Sequence, residues 1–351
     1  MPKTRLVAYV DPAGRVGVKE EKIPQLAENE VLIKVHASLI SPGTEMNILR
    51  MRRAQQQPGP EAEDTYFGYA NAGEIIAVQG DVKGPEPGMR VAAMGGGAKH
   101  CSYACVPVNL VVPIPEELSY EPAAFACLGA TALQGVRRTM PQLGDYGAVL
   151  GLGIVGNLAC QLYELSGARV LGWEGLASRI EIAKACGINN TVNFIATDAL
   201  AASKEFAAPY GLDFAMLAFG GEATGVMQEI MQAMKVSADG HAMGKIILIG
   251  GCKVEIGGGA CSGNLDFLAS SRTGPGYHDS DWEYGADYPN VFVQFTTQRN
   301  LREIVRLMHE KRLLVEPMIT HRMPLQEVGK AADMLLAQPD KAMGVILQMQ
   351  H

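Results

Sequence analysis

The chain has 351 residues, a formal net charge of −7, 48% hydrophobic and 19% charged residues. That length favours two domains over a single core, and that apolar content excludes a largely disordered chain. The acidic balance, with no Lys/Arg run longer than two, excludes a nucleic-acid-binding footprint.

The opening MPKTRLVAYVDP holds an apolar stretch too short for a signal peptide and reads as a strand. VLIKVHASLI at 31–40 alternates and is rich in β-branched residues; NAGEIIAVQ at 71–79 and MRVAAM at 89–94 read the same way. Gly/Pro turns separate these strands, so the first part of the chain is expected to be an all-β unit with a closed or strongly bent sheet.

The pattern then changes. EPAAFACLGATALQGVRRT at 121–139 is helical, with an acid in its first turn and arginines in its last. AVLGLG (148–153), ARVLGWE (168–174), TVNF (191–194), LDFAMLAFG (212–220) and KIILIGG (245–251) read as strands, with helices over 154–166, 177–186 and 222–235 between them. Apolar strands alternating with helices predict a parallel sheet covered on both faces. RNLREIVRLMHEKRLL at 299–314 is an amphipathic helix, a second lies within ITHRMPLQEVGKAADMLLAQ, and MGVILQM at 343–349 is a closing strand able to rejoin the first unit.

The expected fold class is α/β, with a β domain over 1–123 and 297–351 and a doubly wound parallel-sheet domain over 124–296. No run of 18 apolar residues occurs, so no membrane span is expected. Seven cysteines at 101, 105, 127, 160, 186, 252 and 261 are scattered and odd in number, which suits reduced thiols and a cytoplasmic location.

Gly151, Gly153 and Gly156 form G-x-G-x-x-G around Ile154 and Val155, after an apolar strand and at the start of a helix. That context reads as a dinucleotide site. Gly151 makes the turn, Gly153 admits the pyrophosphate, and Gly156 packs helix against strand. The helix start supplies free N–H groups for phosphate. Glu174 ends the next strand, 23 residues after Gly151, and fits the acceptor of a ribose diol. A carboxylate there favours NAD, with NADP as the second option; Arg179 either softens that preference, stacks on adenine or lies on a solvated helix face.

SPGTE (41–45), FGYANAGEIIAVQG (67–80), PGMRVA (87–92), VPVNLVVPIPEELSYEPAAF (106–125), GATAL (129–133) and GLGIVG (151–156) follow one another in an order that resembles the medium-chain dehydrogenase/reductase family over essentially the whole chain. The resemblance implies a GroES-like β domain, a Rossmann domain, and hydride transfer between a nicotinamide and a small-molecule substrate. It also implies cofactor contacts at Thr131, Phe219 and Gly250, and a homodimer. The zinc-dependent members carry Cys-Gly-Thr-Asp-like and Gly-His-Glu turns. Here those stretches read Pro42-Gly43-Thr44-Glu45 and Gly68-Tyr69-Ala70. Only Cys101 and Cys105 fall near the place of the structural zinc. Both zincs are expected to be missing, and no His/Cys/Asp/Glu cluster has metal spacing on its own terms. The SPGTE turn and the segment SSRTGPGYHDSDWEYGADYP point to a zinc-free subgroup that resembles sugar-associated and bacteriochlorophyllide-type dehydrogenases.

Without zinc, hydrogen-bond donors must stabilise the reacting oxygen. Thr44 sits at the position of the family's proton-relay hydroxyl, and Tyr69 at that of the zinc histidine. Glu45 and His100 are the titrating candidates. Each has an ordinary alternative: Thr44 as a helix cap, Tyr69 as filler, His100 as a surface turn residue. The segment Ser270–Asn290 mixes four aromatics, four acids, His278 and Arg272. It suits either a polar ring-shaped substrate, with His278 and Asp279 as ligands and Tyr277 and Trp282 as stacking walls, or a rigid subunit contact. The leading expectation is alcohol/ketone interconversion on a sugar- or polyol-like substrate. The alternatives are a zinc-free quinone or enone reductase and a dinucleotide-binding protein without catalysis.

Overall fold

The computed structural model describes residues 2–54 and 63–351. It divides into two compact units, Met1–Ala130 with Thr273–His351, and Thr131–Arg272.

The first unit is built around the strand Glu30–Leu39. Its Val, Leu and Ile side chains are buried along nearly its whole length because it pairs antiparallel with Ala70–Val78, with Tyr103–Pro107 and with the closing strand Gly344–Gln348. Ile319–Pro324 extends this sheet on one side, and Arg90–Met94 and Val111–Pro113 on the other. A second sheet joins Val16–Lys22, Thr4–Val10 and Thr65–Tyr66. The helix Thr297–His309 buries Leu301, Ile304, Val305 and Met308 on one stripe, the 3.6-residue period read in the sequence.

The boundaries depart from the expected 123/124 and 296/297. Residues 273–296 cluster with the β unit because their hydrogen bonds go there. Asn29 Nδ2 donates to the Tyr284 carbonyl at 2.7 Å, Asn109 Nδ2 to the Trp282 carbonyl at 2.6 Å, and the Tyr284 hydroxyl to Glu30 at 3.1 Å.

The second unit is a six-stranded parallel sheet in the order Thr191–Asn193, Arg169–Glu174, Tyr146–Leu150, Phe214–Leu217, Met243–Leu248, Asn264–Ala269. The order reverses between Tyr146–Leu150 and Phe214–Leu217, which makes their carboxyl ends the switch point of a Rossmann sheet. Helices include Ile154–Leu165, Ala177–Ala185 and Thr224–Met231. The helix Ala199–Phe206 and the strand Asn264–Ala269 have no counterpart in the sequence reading. The strand's Asn264 and Asp266 interrupt the apolar run that marks the interior strands. Two buried polar pairs tie this unit together: Trp173 Nε1 donates to Ser203 Oγ at 2.9 Å, and the Tyr163 hydroxyl meets Thr139 Oγ1 at 2.6 Å. Among the described residues no helix is long and apolar enough to cross a membrane.

Candidate functional site

The glycine turn leaves the strand Tyr146–Leu150 and enters the helix Ile154–Leu165. Gly151 has φ +93°, a conformation that a side chain strains. A Cβ on Gly156 would stand 1.8 Å from the Gly151 carbonyl oxygen, so the helix sits on the turn at a distance only glycine permits. Around the Cβ position of Gly153, by contrast, the nearest atom is Arg179 Nη1 at 4.0 Å. That open space lies at the N-cap of the helix, where backbone N–H groups are free for an anion. Arg179 Nε is buried with no protein partner. A Gly153 with room before it, a helix N-terminus and an unsatisfied guanidinium nitrogen together fit a dinucleotide's phosphates.

Glu174 ends the neighbouring strand and is buried. Its Oε2 accepts the Leu152 N–H at 3.0 Å, and its Oε1 accepts those of Gly175 and Leu176 at 2.8 and 3.1 Å. Arg179 Nη1 lies 3.7 Å from Oε2. The carboxylate thus holds the glycine turn to the end of the next strand, an arrangement that sequence spacing alone does not reveal. Phe219 follows the strand Phe214–Leu217, and Gly250 follows Met243–Leu248. A Cβ on Gly250 would meet the Phe219 carbonyl oxygen at 2.0 Å, and one on Gly151 would meet Phe219 Cβ at 3.2 Å. Gly151, Phe219 and Gly250 therefore converge at the carboxyl end of the sheet, beside Ile154 and Val155 at the start of the helix. Thr131 lies in the helix Ala126–Thr139, half-buried.

In the first unit the SPGTE turn starts the helix Thr44–Ala54. Thr44 is exposed, while Glu45 is 2% exposed. The Glu45 carboxylate accepts the Ser41 N–H at 2.6 Å through Oε2, and its Oε1 faces His100 Nε2 at 3.0 Å. His100 is fully buried, so its reading as a surface turn residue is corrected. Its Nδ1 meets Ser38 Oγ, and Ser38 Oγ donates to the Ala70 carbonyl at 2.9 Å. The His100 ring stands edge-on to Phe67, with centroids 5.2 Å apart. The protein therefore contains a line Ala70–Ser38–His100–Glu45–Ser41 in which Ser38 went unread, because it pairs with a residue 62 positions away.

Tyr69 borders this line. Burial pushes its phenol up, the neighbouring Cys127 and Glu45 push it the same way, and hydrogen bonding with the Ser41 and Thr44 side chains offsets part of the rise. Tyr69 thus stays a neutral phenol, beside the hydroxyls of Ser41 and Thr44. The Cys127 thiol is also pushed up, first by burial and then by Glu45, and remains protonated. Among the described residues no group of three or more His, Cys, Asp or Glu side chains is arranged to hold a metal. Pro42, Tyr69 and Ala70 offer zinc no nitrogen, thiolate or carboxylate, so this donor set does not fit the ion.

The segment after Thr273 is bolted to the first unit; Trp282, expected as a stacking wall, proves structural, and Asp279, expected as a ligand, has a capping role. Trp282 is 2% exposed and belongs to the core rather than to a stacking wall. Asp279 caps the short helix Ser280–Glu283 by accepting the Trp282 N–H, and also accepts the Tyr288 hydroxyl. The Asp279 carboxylate therefore has a capping role in the loop, with one donor on each oxygen. His278 is exposed at φ +72°, and Tyr277 is half-buried. The Tyr277 ring lies 3.3 Å from the Cβ position of Gly95, whose N–H donates to the Tyr69 carbonyl at 3.0 Å. Tyr277 is thereby linked through Gly95 to the Tyr69 turn.

Residues 27–116 match the alcohol dehydrogenase GroES-like domain. An uncharacterized zinc-type alcohol dehydrogenase-like protein of Escherichia coli strain K12 is 28% identical over 53% of this chain and 62% of its own length. Alcohol dehydrogenase 1 of Trifolium repens is 30% identical over 60% of this chain and 49% of its own. The chain thus spans about half to three-fifths of the length of these relatives. Galactitol-1-phosphate dehydrogenase from Escherichia coli has a similar fold, with a TM-score of 0.75 at 18% identity over 98% of this chain and 99% of that one. An Escherichia coli oxidoreductase/dehydrogenase of unknown specificity gives 0.81 at 17% identity over 99% and 100%. Residues 27–116 thus match a GroES-like domain, and the chain as a whole shares its fold with these solved dehydrogenases.

Proposed function

We propose that this chain is a zinc-independent, nicotinamide-dinucleotide-dependent oxidoreductase that interconverts an alcohol and a ketone on a polar, hydroxyl-bearing substrate. The observation that carries the reading is the hydroxyl cluster of Ser41, Thr44 and Tyr69 beside the buried Glu45–His100 pair. It occupies the turns where the zinc-type enzymes of the resemblance place their ligands. A neutral phenol and a threonine hydroxyl supply hydrogen bonds to a developing alkoxide. The carboxylate–imidazole pair supplies a proton acceptor and donor.

The residues proposed to hold the dinucleotide are Gly151, Gly153, Ile154, Val155 and Gly156 at the helix start, Glu174 and Arg179 at the ribose, and Thr131, Phe219 and Gly250 alongside. When bound, the dinucleotide accepts or delivers the hydride. Glu174 favours NAD over NADP through repulsion of a 2′-phosphate, tempered by Arg179 at 3.7 Å. Tyr277 and His278 are the proposed substrate contacts of the 273–290 segment. Trp282 and Asp279 hold that segment's shape. A cytoplasmic homodimer remains part of this proposal.

A panel of polyols, sugars, sugar phosphates, quinones and enones, followed through the absorbance of the reduced nicotinamide, tests the reading. Turnover of polyols or sugars with NAD is expected. Turnover confined to quinones and enones would leave the dinucleotide site in place and remove the alcohol chemistry. Binding without turnover of any panel member would favour a dinucleotide sensor.

A further inference from the structure

Glu45 and His100 are 2% and 0% exposed, and hydrogen counting restricts what they hold. Ser38 Oγ is shared between the Ala70 carbonyl, at 2.9 Å, and His100 Nδ1. A carbonyl has no hydrogen to give and a hydroxyl has one. If Ser38 gives its hydrogen to Ala70, Nδ1 must carry a proton. The contact between Nε2 and Glu45 at 3.0 Å then needs a second, and the couple is neutral overall. If Ser38 turns its hydrogen to Nδ1, the ring's single proton sits on Nε2 against Glu45, and the couple carries one negative charge. The two arrangements differ by one proton and by the direction of one hydroxyl.

We infer that the Ser38 hydroxyl, turning between the Ala70 carbonyl and His100 Nδ1, is a one-proton switch that sets whether Glu45 is loaded to donate or ready to accept. The inference rests on the oxidoreductase reading above. In the reducing direction, hydride adds to the carbonyl carbon, and the C=O π pair moves to oxygen. That oxygen takes the proton released by the Glu45–His100 couple, which passes from neutral to minus one. Oxidation returns the proton. Glu45 is the proton-exchanging group because it adjoins the Tyr69 phenol and its Ser41 and Thr44 hydroxyl partners; His100 and Ser38 act through Glu45 and are positioning residues. The groups facing the couple are few: the Ser41 N–H on Glu45 Oε2, and the neutral Tyr69 phenol and protonated Cys127 thiol, both under the influence of Glu45. Each of these named neighbours is uncharged, and an unpaired second charge beside them would be costly.

The test uses full-length protein with ¹⁵N-labelled histidine, followed by NMR through a pH titration. The expected result is a His100 ring with Nδ1 protonated at low pH that loses one proton and emerges as the Nε2–H tautomer. Ser38→Ala removes the hydrogen that Nδ1 needs in the anionic form, so the transition moves to higher pH. Ser38→Thr, which keeps a hydroxyl, restores it. In turnover, Ser38→Ala lowers kcat about ten-fold or more with KM unchanged, and shifts the pH profile the same way. A single tautomer throughout the wild-type titration overturns the switch, as does a Ser38→Ala titration identical to wild type. If Ser38→Ala does not fold, the wild-type and Ser38→Thr titrations decide. A tautomer change as expected, in a protein that turns over nothing, keeps the switch and removes the oxidoreductase reading.

Discussion

The backbone of Gly68 lies directly against the ring of His100: a Cβ at position 68 would fall 2.2 Å from the His100 backbone nitrogen and 2.6 Å from its Cγ. Gly68 also has φ +105°, so a side chain there meets both strain and collision. Gly68→Ala is expected to cost about 2–3 kcal/mol of stability. Gly43→Ala, in the neighbouring turn with nothing within 4 Å of its Cβ position, is the control. Urea unfolding of the two variants checks this; equal midpoints would show that His100 yields easily.

The glycines of the dinucleotide turn should separate fold from binding. Gly156→Ala puts a Cβ 1.8 Å from the Gly151 carbonyl and is expected to destabilise the second unit strongly. Gly153→Val enters open space, so the apo protein should melt near the wild-type temperature while its heat of binding to NADH is lost. Retained NADH affinity in Gly153→Val would move the phosphates away from this helix.

Tyr69→Phe removes the phenol that hydrogen-bonds with Ser41 and Thr44. Turnover should fall by about 10²–10³, the usual effect of losing one donor at a developing oxyanion, while NADH binding is unchanged. Full turnover would reassign Tyr69 to packing. The phenols of Tyr69 and Tyr163 are both held above their ordinary value of 10.0, chiefly by burial. The folded state therefore binds these protons more tightly than the unfolded chain. Their stabilisation is complete below pH 10 and lost as pH rises beyond it. Alkaline titration of tyrosine absorbance should leave at least these two groups unionised until the protein unfolds.

Asn109→Ala removes the hydrogen bonds to the Trp282 and Ala286 carbonyls, at 2.6 and 3.1 Å. The expected cost is about 1–2 kcal/mol, with a raised KM for the carbonyl or alcohol substrate and unchanged dinucleotide affinity. Equal losses of both affinities would argue that the 273–290 segment serves the fold generally rather than substrate selection.

Elemental analysis of purified protein should find well under one zinc per chain, and a strong chelator should leave turnover intact. Stoichiometric zinc would redirect attention to Glu45 and His100 as its ligands and would dissolve the proton-handling scheme built on them.

Features written in short-range chemistry were legible in the sequence. The glycine turn at 151–156 declares itself because its strand, its spacing and its helix are contiguous, and the closing strand at 344–348 is readable from its apolar run. The end of the strand at Glu174 is legible, but the three backbone N–H donors on its carboxylate are not, since they depend on how the turn folds back. The surface-turn alternative for His100 rests on the glycine run 95–97 just before it; Ser38, Glu45 and Phe67 enclose its ring from three other segments. Trp282 misled for the opposite reason. Aromatics and acids in a glycine-rich loop have the same composition whether they face a ligand or hold the loop together, and only the hydrogen bonds from Asn29 and Asn109 distinguish the cases.

Those hydrogen bonds have a genetic consequence. Because the 273–290 segment hangs on Asn29, Glu30 and Asn109, a crossover replacing residues 131–272 would exchange Gly151, Gly153, Gly156, Glu174 and Arg179 together. It would leave Tyr277, the Glu45–His100 couple and their supports untouched. On the proposed reading, the residues for coenzyme preference and those for substrate preference lie on separate stretches of the gene, one nested inside the other, so that recombination at two points would exchange the first set without the second.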